Sequence, residues 1–255
     1  MREELNEENI VNKIKEKKEL SGLSGDLVLD VIVEYLEKHK INLGKLGKRE
    51  VKLVVKEIRA QLRKNSGMFQ KSLKKRIGAL DDIDGLLETH RSTAERLEFY
   101  PKLREIIREL DVKSILDLGA GLNPVALAEK GIEYYAFDIR EDDMEIVSEF
   151  FRKKGISGEA VVRDLRKVSS LPKADICLIF KVLDIIEDKG HRIAGELIDK
   201  IDSKYILISF AKKTLSGKPM RYPRRRWLES ILHFGGYKFK IFNSENEVFY
   251  LAQRE

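Results

Sequence analysis

The residues whose spacing suggests chemistry begin in Ser114-Ile-Leu-Asp-Leu-Gly-Ala-Gly121, where an apolar run of strand length meets two glycines and then a helical pattern from Pro124 to Lys130. Gly119 and Gly121 allow backbone to approach a ligand where a Cβ would block it, and the N–H groups opening the next helix have no partners of their own. Asp117, at the strand end, can accept from the ammonium of a methionine moiety. Asp138 closes the next apolar run, Tyr-Tyr-Ala-Phe-Asp, about 20 residues beyond the glycines, where a carboxylate can take both hydroxyls of a ribose. After the third run, Asp164 can accept an adenine amino hydrogen while the backbone N–H of Leu165 meets a ring nitrogen. Each aspartate alone also reads as a loop cap. Three of them in order at three strand ends read as a nucleoside site. No Gly-x-x-x-x-Gly-Lys loop is present, and Pro124 stands where the third glycine of the dinucleotide fingerprint would fall. A nucleoside without a pyrophosphate fits better, and S-adenosylmethionine is the expected cofactor.

These residues need a parallel sheet to line them up. After Asp111, apolar runs at Ser114 to Leu118, Tyr134 to Phe137, Ala160 to Val162, Ile176 to Phe180 and Tyr205 to Phe210 alternate with amphipathic helical stretches. That alternation predicts parallel strands with crossover helices. A last helix around Arg226 to His233 precedes Tyr237 to Phe242 and Glu247 to Ala252, which read as an antiparallel hairpin. Residues 1 to 110 read as helices throughout: Ser24-Gly25-Asp26 is a start signal, and Val51, Val54, Val55, Ile58 and Leu62 share one face of a helix beginning near Arg49. The expectation is an α/β chain with an N-terminal helical RNA-binding domain over 1–110 and a Rossmann-like domain over 111–255.

Charge points to the partner. Of a net +6, residues 1–80 hold 19 Lys and Arg against 12 Asp and Glu, an excess of seven. Within it lie Lys56, Arg59, Arg63, Lys64, Lys71, Lys74, Lys75 and Arg76, interrupted only by Glu57. Between Lys204 and Leu228 a second cluster, including Lys212, Lys213, Lys218, Arg221, Arg224, Arg225 and Arg226, contains no acid. Either run alone reads equally as a solvated face. Together, flanking a nucleoside-cofactor domain, they point to RNA phosphates. Lys181, just past the fourth strand, is a candidate target contact. Cys177 is the single cysteine, so no internal disulfide and no cysteine-based zinc site can form. His39, His191 and His233 have no partner at ligand spacing, and no metal is expected. No apolar run approaches the roughly 20 residues of a membrane helix. A cytoplasmic monomer is expected.

Thr89-His-Arg-Ser-Thr-Ala-Glu-Arg-Leu97, taken with SILDLGAGLNP from Ser114 to Pro124, resembles the aminoglycoside-resistance 16S ribosomal RNA methyltransferases. The similarity extends to Phe180-Lys181, Thr214-Leu-Ser-Gly217 and Asn246-Glu-Val-Phe-Tyr250. It implies a class I methyltransferase sheet and methyl transfer to N7 of a guanine in small-subunit ribosomal RNA. It further implies that His90, Arg91, Ser92 and Arg96 close over the methionine end, with Arg96 gripping its carboxylate in a two-bond fork, and that Phe69 and Phe180 pack by the cofactor. Without the resemblance, Ser92 or Thr93 with Glu95 reads as an N-cap on a surface helix, and Phe69 as core. Two departures stand out: Ala120 replaces a cysteine usual in the family, and Ala211-Lys212-Lys213 replaces a proline-containing stretch before Thr214 in the target-facing loop.

Guanine N7 carries a lone pair and no proton in the neutral base, so no general base is expected, and the work is positioning and electrostatics. In paired RNA that edge faces a deep, narrow groove, so the base has to leave the stack. Trp227, Tyr222 and Phe210 are the aromatics available to receive it, Trp227 being equally a core residue of its helix. The competing readings are a nonenzymatic rRNA-binding assembly factor and a methyltransferase acting on another RNA base.

Overall fold

The computed structural model describes residues 6–66, 76, 79–187, 190–214 and 217–254. The helices among them are α1 (Glu7–Lys15), α2 (Gly25–His39), α3 (Lys48–Ser66), α4 (Ile83–Glu88), α5 (Arg91–Ala94), α6 (Tyr100–Glu109), α7 (Asn123–Leu127), α8 (Glu141–Lys154), α9 (Leu183–Ile186), α10 (Arg192–Asp199) and α11 (Arg226–Phe234). The strands are β1 (Ser114–Leu118), β2 (Glu133–Asp138), β3 (Gly158–Val162), β4 (Ile176–Phe180), β5 (Tyr205–Ala211), β6 (Tyr237–Asn243) and β7 (Glu247–Arg254).

The chain forms two compact units, Met1–Met68 with Ile139–Asp142, and Phe69–Asp138 with Asp143–Glu255. In the first, Ser24 caps α2 by accepting from the Leu27 N–H at 3.1 Å. The apolar stripes then interlock: Ile10 and Ile14 of α1, Val28, Val31 and Ile32 of α2, and Val51, Val54, Val55, Ile58 and Leu62 of α3 form one buried cluster. Each such side chain gains about 1.5–3 kcal/mol by leaving water.

In the second unit a seven-stranded sheet has the order β3-β2-β1-β4-β5-β7-β6. Neighbours among β1 to β5 run parallel, while β7 pairs antiparallel with both β5 and β6. Every residue of β4 is buried, as a central parallel strand covered on both faces requires. Alternate residues divide between two cores: Ile115, Ile176, Leu178 and Leu207 face one, Leu116, Cys177, Ile179 and Ile206 the other. Because the chain builds β1 to β3 outward and then crosses to β4, the order reverses between β1 and β4. In open α/β sheets the crevice at that reversal, beyond the carboxyl ends of the strands, is where ligands bind.

Two details differ from the sequence reading. The helices before β1 pack with the sheet, since Leu86, Leu87, Tyr100, Leu103 and Ile107 share a core with Ile115 and Leu178. The packing thus divides the chain before α4, whereas the change from helical to alternating pattern falls near residue 110. The helix after the glycines is also shorter than the pattern from Pro124 to Lys130: α7 ends at Leu127, with Ala128 extended at ψ 131°.

Candidate functional site

At the β1–β4 reversal the backbone turns through Gly119 at φ +73° and Gly121 at φ +49°, a region that L side chains rarely adopt. Space is as restrictive as torsion. A Cβ on Gly119 would lie 2.1 Å from Val182 Cγ2, just past β4, and one on Gly121 would lie 3.2 Å from the His90 ring. Asp138 accepts from the Gly121 N–H at 2.9 Å, and the Phe137 carbonyl accepts from Gly119 and Ala120 at 2.8 and 3.0 Å. The end of β2 therefore fixes the glycine turn.

Asp117 is fully buried. One of its oxygens accepts from the Tyr134 hydroxyl at 2.7 Å, while Oδ1 is buried near the Asn123 amide with no well-formed hydrogen bond. Burial pushes its carboxyl up to about 7, against the Tyr134 hydrogen bond and the Arg96 charge. Burial and the adjacent Asp117 keep the Tyr134 phenol protonated as a donor. A buried carboxylate oxygen without a well-formed hydrogen bond costs free energy until a donor arrives, and a ligand ammonium is a donor of the right charge.

Arg96, 1% exposed, organises the other side of the site. Its Nη1 donates to Asn123 Oδ1 at 2.7 Å, and its Nη2 lies 2.9 Å from Glu247 and 3.3 Å from Ser92 Oγ. Asn123 also accepts from Tyr100 at 2.7 Å. The Ser209 hydroxyl donates to Glu247, which is itself fully buried. The guanidinium stacks 4.7 Å from the Phe180 ring centre. The two nitrogens expected to fork onto a ligand are thus taken by protein groups, Nη1 by Asn123 and Nη2 by Glu247, and of this guanidinium it is Nε that is buried with no hydrogen-bond partner. Glu247, Asn123, Tyr100 and Tyr134 escaped the sequence reading. The available signal was Glu247 itself, a charge opening a strand whose first four residues are all buried.

The structure gathers His90, Ser92, Arg96, Asp117, Gly119, Gly121, Asp138 and Phe180 at the carboxyl end of the central strands. Arg91 lies beside them with its Nε on Glu95 at 2.8 Å. Asp164 is engaged elsewhere: both oxygens are held by the Arg166 side chain at 2.6–3.2 Å, and Oδ1 also accepts from the Arg166 N–H at 3.0 Å. Leu165 is buried. Phe69 lies outside the described residues.

The basic residues sort differently from their order in sequence. Lys181 is buried at φ +60°, its ammonium 2.6 Å from Glu95. It is a lock between β4 and α5, because a buried ammonium needs a matched carboxylate. Burial pushes the Glu95 carboxyl up, but hydrogen bonds from Lys181 and Arg91 outweigh it and leave the group below its usual range. Arg76 is likewise buried against Asp143. Arg59 donates to the Lys13 carbonyl and lies 3.6 Å from Glu16, and Arg63 holds Glu19 at 2.7 Å. Lys212 donates to the Ser244 carbonyl and Lys213 pairs with Glu245, both at 2.8 Å. Arg224 forks onto Glu229 at 2.9 and 2.8 Å, and Arg225 onto Asp184 at 3.2 and 2.6 Å. Lys71, Lys74 and Lys75, and the side chain of Lys64, lie outside the described residues. Of the expected RNA contacts, Lys218, Arg221 and Arg226 are exposed with no acidic partner among the described residues. So are Lys48, Arg49, Lys52 and Lys56 on α3.

A family model described as Ribosomal RNA methyltransferase (FmrO) matches residues 76–249, more than half of the chain. The chain belongs to this ribosomal RNA methyltransferase family. Among similar proteins, a 16S rRNA (guanine(1405)-N(7))-methyltransferase of Serratia marcescens is 27% identical over 236 residues, which is 89% of this chain and 90% of the relative. One of Micromonospora rosea is 33% identical over 138 residues, 51% of this chain and 49% of its own. The fold matches the 16S rRNA methyltransferase RmtF, in complex with S-adenosyl-L-homocysteine, with a TM-score of 0.80 at 23% identity and complete coverage of both chains. It matches the 16S rRNA methylase RmtB at 0.77 and 23% identity, over 98% of this chain and 99% of that one. The family region takes in the glycine turn, Arg96 and Glu247. No group of three or more His, Cys, Asp or Glu among the described residues could hold a metal ion, and no described helix is long and apolar enough to cross a membrane.

Proposed function

We propose that this chain transfers the methyl group of S-adenosylmethionine to N7 of a guanine in small-subunit ribosomal RNA. The observation that carries the reading is a buried carboxylate oxygen without a well-formed hydrogen bond, Asp117 Oδ1, beside a glycine turn whose positive φ disfavours any side chain, in a chain of a ribosomal RNA methyltransferase family. Asp117 takes the ammonium of the methionine end, and the Arg96 Nε takes its carboxylate. Gly119 and Gly121 admit the nucleoside, Asp138 takes ribose hydroxyls, and His90, Ser92 and Phe180 enclose the methionine chain. The bound cofactor supplies an electrophilic methyl on a sulfonium. The protein's part is to orient that methyl, exclude water and bring up a lone pair that needs no deprotonation, so no residue is assigned as a base. Lys48, Arg49, Lys52 and Lys56 on α3, Lys218 and Arg221 before α11, and Arg226 at its start are exposed cations with no acidic partner among the described residues, available to RNA phosphates.

Small ribosomal subunits incubated with the protein and methyl-labelled cofactor should take up label on their RNA, and cleavage mapping should put it on N7 of one guanine. A folded protein that binds the cofactor yet labels no subunit RNA, or labels another position, defeats the assignment.

A further inference from the structure

At its end before α11, the loop that follows β5 is held by the Arg225 side chain. Arg225 sends Nε and Nη2 to Asp184 and Nη1 to the carbonyls of Pro223 and Tyr222, at 2.7 and 3.3 Å. Its guanidinium lies 5.0 Å from the Phe210 ring centre, and its N–H donates to the Tyr250 hydroxyl at 2.8 Å. Asp184 is two residues beyond Val182, the side chain that packs against Gly119. The clamp therefore ties the loop to the same sheet edge as the glycine turn.

What the clamp presents is unusual for a folded surface. Tyr222 is 72% exposed, while Phe210 is fully buried and Trp227 is covered by His191, stacked at 4.3 Å. Arg221 lies 5.2 Å from the Tyr222 ring centre, and Lys218 and Arg226 are exposed near it in the chain. A large aromatic ring held in water by a fixed backbone, with a guanidinium at one face and two further exposed cations within four residues of it in the chain, has the make-up of a base-stacking platform in single-stranded nucleic acid recognition.

We propose that Tyr222 is the stacking platform for the guanine lifted out of the RNA, and so a positioning residue for methyl transfer. The inference rests on the function proposed above. Unstacking the base is unfavourable, and a ring waiting at the sheet edge offsets that cost only once the base has left the helix. Its effect therefore falls on kcat more than on the affinity for subunits, which phosphate contacts dominate.

The test compares Tyr222→Ala, Tyr222→Phe and Tyr222→Trp with the unaltered chain in single-turnover methylation of small subunits, alongside cofactor binding by calorimetry and subunit binding by filter retention. Tyr222→Ala should slow transfer about ten- to a hundredfold, the worth of one base–aromatic stack. Cofactor and subunit affinities should stay within about twofold, and Phe and Trp should restore the rate. Transfer by Tyr222→Ala at the unaltered rate overturns the platform while leaving the proposed function intact. An equal loss in all three variants also overturns it, since only the ring is common to Tyr, Phe and Trp. An unaltered chain that labels no subunit removes both.

Discussion

Two regions of this chain use arginine and lysine in opposite ways. Around the cofactor site and beneath it, each buried cation meets a carboxylate: Arg96 faces Glu247, Lys181 faces Glu95 and Arg76 faces Asp143. Lys48, Arg49, Lys52 and Lys56 on α3, with Lys218, Arg221 and Arg226 around the start of α11, are exposed and meet none among the described residues. The difference follows from solvation. Taking an ion out of water costs several kcal/mol unless a matched partner and hydrogen bonds replace the water, whereas an exposed ammonium is already satisfied. A buried pair thus specifies geometry, and an unmatched exposed charge is available to a phosphate.

Breaking the buried side should have the largest effect. Glu247→Ala leaves Arg96 charged and buried, and removes the acceptor that Ser209 and Arg96 share between β5, β7 and the residues after α5. The loss should be about 3–5 kcal/mol of unfolding free energy, read from urea melts. Cofactor binding should weaken as well, because Arg96 also orients Ser92 and Asn123. A melt unchanged by the substitution would mean that the pair is not what holds this end of the sheet.

The next effect is on binding alone. Asp117→Asn keeps the Tyr134 contact but removes the negative charge, so cofactor affinity at pH 8 should drop about ten- to a hundredfold, the worth of a hydrogen bond to a charged group. The pH profile sharpens the point. Burial pushes the Asp117 carboxyl up to about 7, so the free protein holds a proton there below that pH, and an incoming ammonium must displace it. Affinity should therefore fall as pH drops from 7 to 5.5, by at most tenfold per unit, and the Asn variant should be flat. Calorimetry across that range gives both answers. An unaltered chain with a flat profile would show that the carboxylate is already ionised when the cofactor arrives.

The strands, the hairpin and the glycine turn were legible in the sequence because each has a local signature: apolar runs of strand length, a polar turn between the last two, and glycines where φ is positive. The candidate site was legible in sequence only as far as it is linear. Asp117 and Asp138 sit at strand ends and are found by counting. Glu247 acts on Arg96 from 151 residues away, and no periodicity connects them. Lys181 was read as a target contact and Arg76 as part of an RNA-facing basic cluster, and their buried carboxylate partners were not legible because a charge looks the same in sequence whether or not a carboxylate folds against it. Asp164, expected at the adenine, is likewise held by Arg166 two residues later, a pairing that its place at a strand end did not announce. Composition counts charges; only packing shows which are already matched.

The smallest expected effect tests that distinction within one helix. Lys48, Lys52 and Lys56 recur every four residues along α3, with Arg49 beside them, over about 12 Å of axis. Arg59 and Arg63 continue the basic run but turn to α1 and the segment after it, where they meet the Lys13 carbonyl, Glu16 and Glu19. If free cations are the ones that meet phosphate, replacing Lys52 and Lys56 by Ala should leave stability within about 0.5 kcal/mol. Each replacement should also reduce the slope of log affinity for subunits against log salt by roughly 0.7–0.9. Arg59→Ala and Arg63→Ala should do the reverse, lowering the melt slightly and leaving the slope alone. Filter binding at several salt concentrations separates the two sets. Equal slopes for the lysine variants and the unaltered chain would mean that α3 faces no phosphate, whatever its charge.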